Sequence, residues 1–472
     1  MRYAKYLPFI ALMLCIQISA RAATPNTLVW EKSADLVSAD IRGEALMPLL
    51  QDIAHQTGWQ ILVEPGSDEL ADVKFNNLPP GDALKKLLGD LNYALVPQSG
   101  GPDILYVFST TMQAATKPVA VAVAKAHHVP NEILVKLKPG VDADIFAKAI
   151  GAKVIGRNDK LHMYLLELTN AATTDIALSQ MQNNNTDVDA VSYNNIFDSP
   201  AAPLAIPSAP ISLPALTLNA SSANSSSSPL IGLIDTVYQP SGTAVDTIMK
   251  PQISVVSSST GSSQAVNADS YGGIKPMSTS TTVPTHGTAM AQAIYYALAQ
   301  ATHGHTSVKI LPVNVYESGD TTTSWDVALG VQAAVDNGAK ILNMSLGGTD
   351  DSPVLDSIVQ QALAQGVVIF AAAGNTPVAS PTYPAAIPGV NAVTALSAPG
   401  KLASYANFGS FVEMALPGTS YVFLNNQAYV VQGTSPATAY ATGMAAAAKS
   451  ANTASWAQIE SAMAQKFPVP SP

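Results

Sequence analysis

The stretch VVQGTSPATAYATG, residues 430–443, places Ser435 in a setting with two interpretations. In one, GTSPATAYATGMAAAA is a helix of small residues packed against a sheet, and Thr434 or Ser435 caps its start. In the other, Ser435 is a nucleophile at the N-terminus of that helix, where the dipole and free N–H groups stabilise negative charge on a substrate oxygen. The stretch alone does not decide between them.

Three other polar residues supply what a serine nucleophile needs. Asp235 ends the apolar run LIGLID, His286 opens HGTAMAQAI, and Asn375 ends VVIFAAAGN. An imidazole removes the hydroxyl proton near neutral pH, and a carboxylate holds the other ring N–H and stabilises the imidazolium. The Asn375 amide and the Ser435 backbone N–H would then bind the oxyanion. Together the four residues indicate acyl transfer.

Alternating strand-like and helical segments must position these residues. From Pro229 onward the segments are PLIGLID, HGTAMAQAIYYALAQA, SVKILPVNVY, WDVALGVQAAVDNGA, KILNMSLGG, PVLDSIVQQALAQG and VVIFAAAGN. This alternation predicts an α/β fold in which parallel strands are joined by helices on both faces of the sheet. The functional crevice of such a sheet lies outside the carboxyl ends of its strands, where the four polar residues fall.

Six motifs in this region carry a family resemblance. LIGLIDT, HGTAMA, NMSLGG, AAAGN, YPAAIPGVNAV and GTSPATAYATG occur in the order found in subtilisin-like serine proteases, so residues 229–472 resemble a subtilase catalytic domain. The resemblance implies that Asp235, His286 and Ser435 are the catalytic triad and that Asn375 is an oxyanion donor. It also implies two walls for an extended substrate strand, formed by Ser345, Leu346 and Gly347 and by Ala372, Ala373 and Gly374.

Several positions depart from the family pattern. Val237 stands where a Gly is usual, Ala289 replaces a second His, Pro436 replaces the common Met, and Ala439 replaces the proline usual in that helix. None of these changes removes a catalytic group, although Ala439 predicts a straighter or slightly displaced helix. The long interval between Asp235 and His286 contains SVVSSSTGSSQAVNADSYGG, which we interpret as an inserted surface loop beside the site that shapes specificity.

Two small α+β domains are predicted upstream. Residues 130–198 contain EILVKLKPG, DADIFAKAIGAKVIGR, KLHMYLLELT, TTDIALSQMQ and VDAVSYNNIF, and this region resembles the ferredoxin-like propeptide of subtilisin-type proteases, which chaperones and inhibits the enzyme. An ordinary small α+β domain is the alternative. Residues 27–108 resemble the short N-terminal domain of secretins and TonB-dependent receptors, which implies a protein-interaction module of the bacterial envelope.

Two stretches of unusual composition separate the domains. Residues 109–129 include TTMQAATKPVAVAVAKA, and residues 199–228 are rich in proline and serine. We interpret both as linkers. Because a packed core is improbable there, the second linker is expected to be exposed and easily cut, which suits a maturation site. We expect the segment 191–197 to lie in the active-site cleft before that cleavage.

The composition and the first residues indicate an extracytoplasmic protein. The 472-residue chain is 47% hydrophobic and 12% charged, and its net charge of -10 offers no basic surface for nucleic acid. Residues 1–22 combine Arg2 and Lys5, an apolar run and a small-x-small ending, which predicts a signal peptide. Because the only cysteine, Cys15, falls within it, the mature chain has no disulfide. We predict a secreted or periplasmic protein of a Gram-negative envelope, with no membrane span.

Metal sites have weak support in the sequence. His303 and His305 lie close together in ATHGHTS, but no carboxylate or third histidine accompanies them, so we assign them to a loop. Asp350 and Asp351 beside NMSLGG hint at calcium, although too few acidic residues lie nearby for a clear motif. We therefore predict no metal site and no required cofactor.

The sequence thus predicts a subtilisin-like α/β domain preceded by two small α+β domains. Its predicted function is a serine endopeptidase made as an auto-inhibited precursor, with protein or peptide substrates and its own propeptide as a partner in cis. A catalytically inactive relative that uses its cleft and its N-terminal domain to bind a partner in the envelope is the alternative from another class. An esterase is possible within enzymes, because the same triad attacks esters.

Overall fold

The structure is a computed structural model in which the chain forms two compact units, residues 1–126 and 127–472. It describes residues 27–31, 36–65, 70–97, 103–119, 127–184, 186–206, 213–219, 228–255, 266–267, 283–316, 321–398, 400–451 and 454–470. The predicted signal peptide, residues 1–22, lies outside the described residues. Among the residues that are described, none forms a helix long and apolar enough to cross a membrane.

The first unit is an α+β module with its own core. Its elements are β1 (Thr27–Glu31), β2 (Leu36–Ala45), α1 (Leu46–Thr57), β3 (Gln60–Val63), β4 (Leu70–Leu78), α2 (Pro80–Leu87), β5 (Asn92–Val96), β6 (Ile104–Phe108) and β7 (Lys117–Val119). They form two sheets, in the orders β1-β2-β4 and β5-β6-β3-β7. The apolar faces predicted for the two helices are buried in one core, at Leu46, Leu49, Leu50, Ile53, Ala54, Leu84, Leu87, Leu88 and Leu91.

This module is larger than the sequence indicated. Strand β7 pairs with β3, and its residue Val119 is buried. All of β7 lies in the predicted linker 109–129, as does Ala115, which is also buried. Three residues of strand are too few to show a hydrophobic period, so only the pairing reveals this strand. The module therefore continues to at least Val119.

Residues 127–198 form a ferredoxin-like domain within the second unit. Its elements are β8 (His128–Leu137), α3 (Ala143–Ala149), β9 (Lys153–Asn158), β10 (Met163–Glu167), α4 (Ala171–Asn184) and β11 (Val188–Asp198). The four strands lie in the order β9-β10-β8-β11 and pair antiparallel. This βαββαβ arrangement agrees with the fold predicted from the five sequence segments.

The two faces of this sheet have different partners. Ile133, Val135 and Leu166 pack with side chains of α3 and α4. Their neighbours on the other face, which include Leu134 and Leu165, join a core shared with residues 230–392 of the same unit. The domain is therefore completed by packing on the rest of the second unit.

The rest of the second unit is a parallel sheet covered by helices. After the short strands β12 (Leu204–Ala205) and β13 (Thr217–Leu218), its elements are β14 (Leu230–Asp235), β15 (Ile253–Ser254), β16 (Val266–Asn267), α5 (His286–Ala301), β17 (His305–Thr306), β18 (Lys309–Asn314), β19 (Thr321–Thr323), α6 (Ser324–Asp336), β20 (Ala339–Met344), α7 (Pro353–Ala364), β21 (Val368–Ala372), β22 (Asn391–Ala398), β23 (Lys401–Leu402), β24 (Met414–Pro417), β25 (Thr419–Leu424), β26 (Gln427–Gln432), α8 (Thr434–Ala451) and α9 (Trp456–Lys466). The main sheet has the order β15-β18-β14-β20-β21-β22-β23. Its central pairs are parallel.

Alternation along the central strands explains why helices cover both faces. Ile231 and Leu233 of β14 join the core that contains α5 and α8, whereas Ile234 joins the core that contains α6 and α7. Residues of β21 alternate in the same way, since Phe370 faces the first core and Ile369 the second. A strand buried on both faces appears in sequence as a continuous apolar run, as β14 and β21 do.

Close packing of α5 and α8 brings together the helices that carry His286 and Ser435. Gly443 makes the approach possible, because a Cβ there would lie 2.7 Å from both the Ala297 Cβ and the Ile294 carbonyl oxygen. His286, at the start of α5, contacts Asp235 at the carboxyl end of β14, and Ser435, at the start of α8, contacts Ser345 just after β20, which runs parallel to β14. The N-termini of α5 and α8 therefore open toward the same end of the sheet.

The described parts of the second linker and of the insertion differ from expectation. Pro203 and Leu216 are buried, and β12 and β13 pair with β26 and β17, so residues 199–228 are not uniformly exposed. These pairings join residues far apart in sequence, and the local proline and serine content does not report them. In the predicted surface loop, Val266 and Asn267 pair with β9 of the ferredoxin-like domain.

Candidate active site

Asp235 occupies the carboxyl end of the central strand β14 and is only 1% exposed. The backbone N–H of Thr236 donates to its Oδ1 at 2.7 Å, and the Thr236 hydroxyl lies 3.2 Å from the same oxygen. Both bonds hold the orientation of the Asp235 side chain. Thr236, which the sequence interpretation did not assign, is therefore part of the base side of the site.

His286 is the first residue of α5 and is 4% exposed. Its Nδ1 lies 2.8 Å from Asp235 Oδ1 and 3.0 Å from Oδ2. Because a carboxylate accepts a hydrogen bond, this contact assigns the proton of the neutral ring to Nδ1 and leaves Nε2 as the basic nitrogen. The structure thus brings together the two residues predicted to act as orienting acid and general base.

The start of α5 is fixed by contacts with the chain around Thr236. The Gly287 N–H donates to the Thr236 hydroxyl at 2.7 Å, and a Cβ on Gly287 would lie 2.2 Å from the Thr236 carbonyl oxygen. The Thr285 hydroxyl caps the helix and donates to the Val237 carbonyl at 2.5 Å. This contact uses the carbonyl group of Val237 and not its side chain. Val237 in place of the usual Gly therefore leaves the contact that fixes the start of α5, and with it His286, in place.

Ser435 lies in the first turn of α8 and is 5% exposed. Its hydroxyl donates to the Ser345 carbonyl at 3.3 Å, while the Ser345 hydroxyl donates to the Ser435 carbonyl at 3.1 Å. Within the described residues, which include both partners, no hydrogen bond joins the Ser435 hydroxyl to His286. The hydroxyl must therefore exchange its acceptor before His286 can take its proton.

Asn375 is exposed beside the helix start, and its amide orientation is set by Thr434. The Thr434 N–H and hydroxyl approach Asn375 Oδ1 at 2.8 and 3.1 Å. With the amide oxygen occupied, Nδ2 is the free donor. Gly433, which has φ of 152°, lies close by, because a Cβ there would be 3.1 Å from Nδ2. Thr434 thus fixes the donor direction, a function that the sequence interpretation missed.

A buried chain of hydrogen bonds connects α8 to strand β20. Thr442 donates to Asn343 Oδ1 at 3.1 Å, and Asn343 Nδ2 donates to the Ser345 hydroxyl at 2.9 Å. Asn343 and Thr442 are fully buried. Each polar atom is satisfied by the next, so the network holds α8 in one register against β20. An amide inside the apolar run KILNM was the available sequence signal for this residue.

Comparison with known sequences places this geometry in a family. The profile described as the subtilase family matches residues 219–467, just over half of the chain. This chain belongs to the subtilase family. The profile described as the fervidolysin N-terminal prodomain matches residues 114–194, so a prodomain-like region precedes the subtilase domain.

Individual relatives match a smaller part of this subtilase. Thermitase of Thermoactinomyces vulgaris is 36% identical over 138 residues, which is 29% of this chain and 50% of thermitase. The thermostable alkaline protease of Halalkalibacterium halodurans is 35% identical over 146 residues, 30% of this chain and 40% of that protease. The chain therefore matches half or less of the length of each of these relatives.

A solved structure extends the likeness to the fold. Fervidolysin from Fervidobacterium pennivorans, a keratinolytic enzyme related to subtilisin, aligns with a TM-score of 0.52 at 19% identity, over 71% of this chain and 57% of fervidolysin. At this identity the likeness concerns the fold. It confirms the predicted subtilisin-like α/β architecture of this subtilase.

The two segments expected to form substrate walls lie at the carboxyl ends of β20 and β21, which are neighbours in the sheet. Ser345, Leu346, Ala372 and Ala373 are buried, whereas Gly347 is exposed and Gly374 is half-buried. A substrate strand at these walls would meet mainly backbone. The wall function remains a prediction of the subtilase resemblance.

The departures inside α8 leave the helix continuous. It runs from Thr434 to Ala451 through Pro436, and Ala439 is fully buried in the core shared with α5. The hydroxyl of Thr438 donates to the Thr434 carbonyl at 2.8 Å. Ala439 therefore fills a packing position in this subtilase.

The groups considered for metals are dispersed. His303 and His305 flank a turn at the start of β17, and Asp350 lies 3.9 Å from His127 of the prodomain-like region. Asn195 Nδ2 donates to the carbonyl oxygens of Asp350 and Asp351. Within the part of the chain that the structure describes, no three His, Cys, Asp or Glu residues are grouped to hold a metal ion.

Tyr316 lies near Asp235 and also contacts the prodomain-like region. Burial raises the pKa of its phenol, and the Asp235 carboxylate raises it further, so the hydroxyl remains a donor at neutral pH. That hydroxyl lies 3.4 Å from the Asp198 carbonyl oxygen. The last residue of β11 is therefore linked through Tyr316 to the neighbourhood of the Asp235 carboxyl group.

Proposed function

We propose that this subtilase is a serine endopeptidase that acts through an acyl-enzyme on Ser435. His286 Nε2 takes the Ser435 proton as Oγ bonds to the substrate carbonyl carbon, and Asp235 stabilises the resulting imidazolium. The Asn375 amide and the Ser435 N–H stabilise the oxyanion. His286 then gives its proton to the departing amine as the C–N bond breaks, and water activated by His286 hydrolyses the ester.

One observation carries this proposal. Asp235 and His286 form a buried pair at 2.8 Å, and the helix that carries His286 packs on the helix that begins with Thr434 and Ser435. A buried histidine base suits the activation of a serine hydroxyl. The N-terminus of α8, which carries Ser435, suits the stabilisation of negative charge.

Turnover measurements test the proposal. We expect the processed wild type to cleave casein and peptides, and Ser435→Ala to lose this activity. Ser450→Ala changes a serine in the last turn of the same helix and serves as the control, since among the described residues its hydroxyl bonds only to the local Ala447 carbonyl. Persistent peptide cleavage by Ser435→Ala would refute the assignment, and a folded, processed wild type inert toward peptides would favour the binding-protein alternative. Turnover of esters but not peptides would indicate an esterase.

We further propose that residues 127–198 inhibit the precursor until the enzyme cuts itself. The support is that Ile196, Phe197 and Asp198 pair with β19, and Phe197, 1% exposed, lies against Gly348 beside the expected wall. Residues 191–195 instead pair with β8, so only the end of the 191–197 segment reaches that wall. Mass spectrometry of wild-type and Ser435→Ala precursors tests self-cleavage, because equal processing of both would identify another protease.

The connecting residues narrow the choice of bond. Asp198 is held on β19 and Leu204 on β26, so we place the cut between them. Bonds before Pro200 and Pro203 are poor candidates, because a proline nitrogen lacks the N–H and its ring restricts the preceding residue. The bonds Asp198–Ser199 and Pro203–Leu204 each include a residue that is paired in a sheet, so we set them aside as well. This leaves Pro200–Ala201 and Ala201–Ala202, and both alanines are exposed.

The proposal also covers the predicted signal peptide and the first unit. We propose that residues 1–22 are removed on export to the periplasm or the medium and that the first unit binds an envelope protein. Sequencing of the Ser435→Ala precursor isolated from the periplasm or medium is expected to show Ala23 at its N-terminus. A precursor retained in the cytoplasm with residues 1–22 attached would contradict export.

A further inference from the structure

The chain beyond the proposed cut returns to the catalytic region as a strand. Leu204 and Ala205 pair antiparallel with Val430 and Tyr429 of β26. The Ile206 N–H donates to the Ala428 carbonyl at 2.9 Å, and Gln427 Nε2 donates to the Ile206 carbonyl at 2.8 Å. The Leu204 side chain is 71% exposed, so backbone pairing holds this strand rather than burial of that side chain.

This strand lies beside the chain that carries the nucleophile. β26 ends at Gln432, and the chain passes through Gly433 directly into the helix that contains Ser435. The ferredoxin-like domain, residues 127–198, is held on a different element, β19, through Ile196–Asp198. The two ends of the short segment 199–203 are thus bound separately, one on each element.

A second set of contacts anchors the chain downstream of Ile206. The Tyr295 hydroxyl donates to the Pro214 carbonyl at 2.9 Å, and Leu216 is buried in the core with α5 and α8. The Thr217 N–H donates to the Gly304 carbonyl at 2.8 Å. A cut within 199–203 breaks none of these contacts, so the new chain end stays tethered near β26.

A tethered end competes strongly with free substrate. A short flexible link keeps a segment at an effective concentration on the order of millimolar near its site. The uncut chain also indicates the path of a substrate, since residues after its scissile bond would meet the same edge of β26. Strand addition to one edge accommodates one occupant at a time.

We propose that Leu204–Ile206 is a second inhibitory strand, which remains on β26 after self-cleavage and blocks the leaving-group side of the cleft to extended peptides. This inference rests on the proposed endopeptidase function. A substrate that carries only a small chromogenic leaving group does not need the β26 edge and escapes the block. Inhibition by this strand is thus selective for substrate length, and it persists after the prodomain-like region has left.

Two substrates distinguish this block from a general loss of activity. The first is a peptide p-nitroanilide, and the second is an octapeptide with the same residues before its scissile bond and four residues after it. Each is assayed with processed wild type and with variants. Ile206→Pro removes the donor to Ala428, Gln427→Ala removes the side-chain bond to Ile206, and Leu204→Ala changes only an exposed side chain.

We expect the ratio of octapeptide to anilide kcat/KM to rise about tenfold in Ile206→Pro and about threefold in Gln427→Ala, because each loses backbone anchoring. Leu204→Ala should keep the wild-type ratio. Should Ile206→Pro fail to fold, Gln427→Ala decides alone. An unchanged ratio, or a processed wild type whose N-terminus lies beyond Ile206, would overturn the proposal. Failure of folded wild type to cleave either substrate would refute the endopeptidase function itself.

Discussion

The base half of the candidate site and its nucleophile half are assembled differently. Asp235 and His286 bond directly at 2.8 Å, and Thr236 next to Asp235 steadies both. Ser435 instead bonds to Ser345, a residue of the expected substrate wall. The difference indicates that the base is set before substrate arrives, whereas the nucleophile must leave the wall to meet it.

The largest effect should come from removing either half. His286→Ala and Ser435→Ala are each expected to lower kcat roughly a million-fold, and the double variant should lose no more, because the two groups act as one unit. Steady-state kinetics with a sensitive fluorogenic peptide would measure this. A double variant far below both single variants would show that the halves act independently.

A smaller loss is expected from the oxyanion side of the nucleophile half. Asn375→Ala should lower kcat about 10²- to 10³-fold with KM nearly unchanged, since the donor acts on charge that develops in the transition state. Asn337→Ala, at the C-terminal end of α6, is the matched control and should leave kcat unchanged. An increase of KM alone in Asn375→Ala would assign this residue to ground-state binding.

The packing of the base half can be tested without changing a reacting group. Gly287→Ala places a Cβ 2.2 Å from the Thr236 carbonyl oxygen, so α5 must shift and carry His286 away from Asp235. We expect kcat/KM to fall about 10²-fold, as for a displacement of about 1 Å. Gly81→Ala meets open space and serves as the control. Wild-type kinetics in Gly287→Ala would show that the base half tolerates displacement.

The smallest expected effect is on the free energy of unfolding, through Asp356 on the helix α7 that follows the Ser345 segment. Burial and the neighbouring Asp351 raise the pKa of Asp356, on the first turn of α7, to about 7. The folded state therefore keeps a proton that the unfolded state releases near its ordinary pKa of about 4, so the free energy of unfolding falls as pH rises from about 4 to 7.

Asp356→Asn should remove this dependence. Because Asp356 is only half-buried, solvent screening reduces the effect, and we expect Tm to exceed that of wild type by about 2–4 °C at pH 8 with little difference at pH 4. Thermal unfolding across this range measures it, with the Ser435→Ala background preventing self-digestion. A constant difference at every pH would exclude titration of Asp356 as the cause.

Sequence reasoning reached the parts of the site whose chemistry is local. Asp235, His286 and Asn375 are polar residues at the ends of apolar runs, and such runs predict where parallel strands terminate. The alternation of apolar segments predicted the parallel α/β sheet, and the resemblance of six motifs to those of subtilases implied that the fold is subtilisin-like. Thr236 and Thr434 were missed because a threonine beside a catalytic residue has many ordinary uses, and only the hydrogen-bond geometry separates them.

The contacts that sequence reasoning could not supply are long-range. Gln427 and Ile206 are 221 residues apart, and neither has a local pattern that predicts their bond. The proline-rich composition of residues 199–228 predicted exposure. The strand pairing of Leu204 and the burial of Leu216 instead depend on surfaces formed elsewhere in the fold. The acceptor of the Ser435 hydroxyl is likewise a property of the assembled site.

Covalent labelling tests the central claim most directly. Processed wild type is treated with a fluorophosphonate, digested and mapped by mass spectrometry, beside Ser435→Ala. The proposed mechanism predicts one adduct on the Ser435 hydroxyl in wild type and none in Ser435→Ala, because only an activated serine attacks phosphorus at a useful rate. An unlabelled Ser435 in folded, processed protein, or equal labelling of Ser435→Ala, would contradict the assignment of Ser435 as the nucleophile.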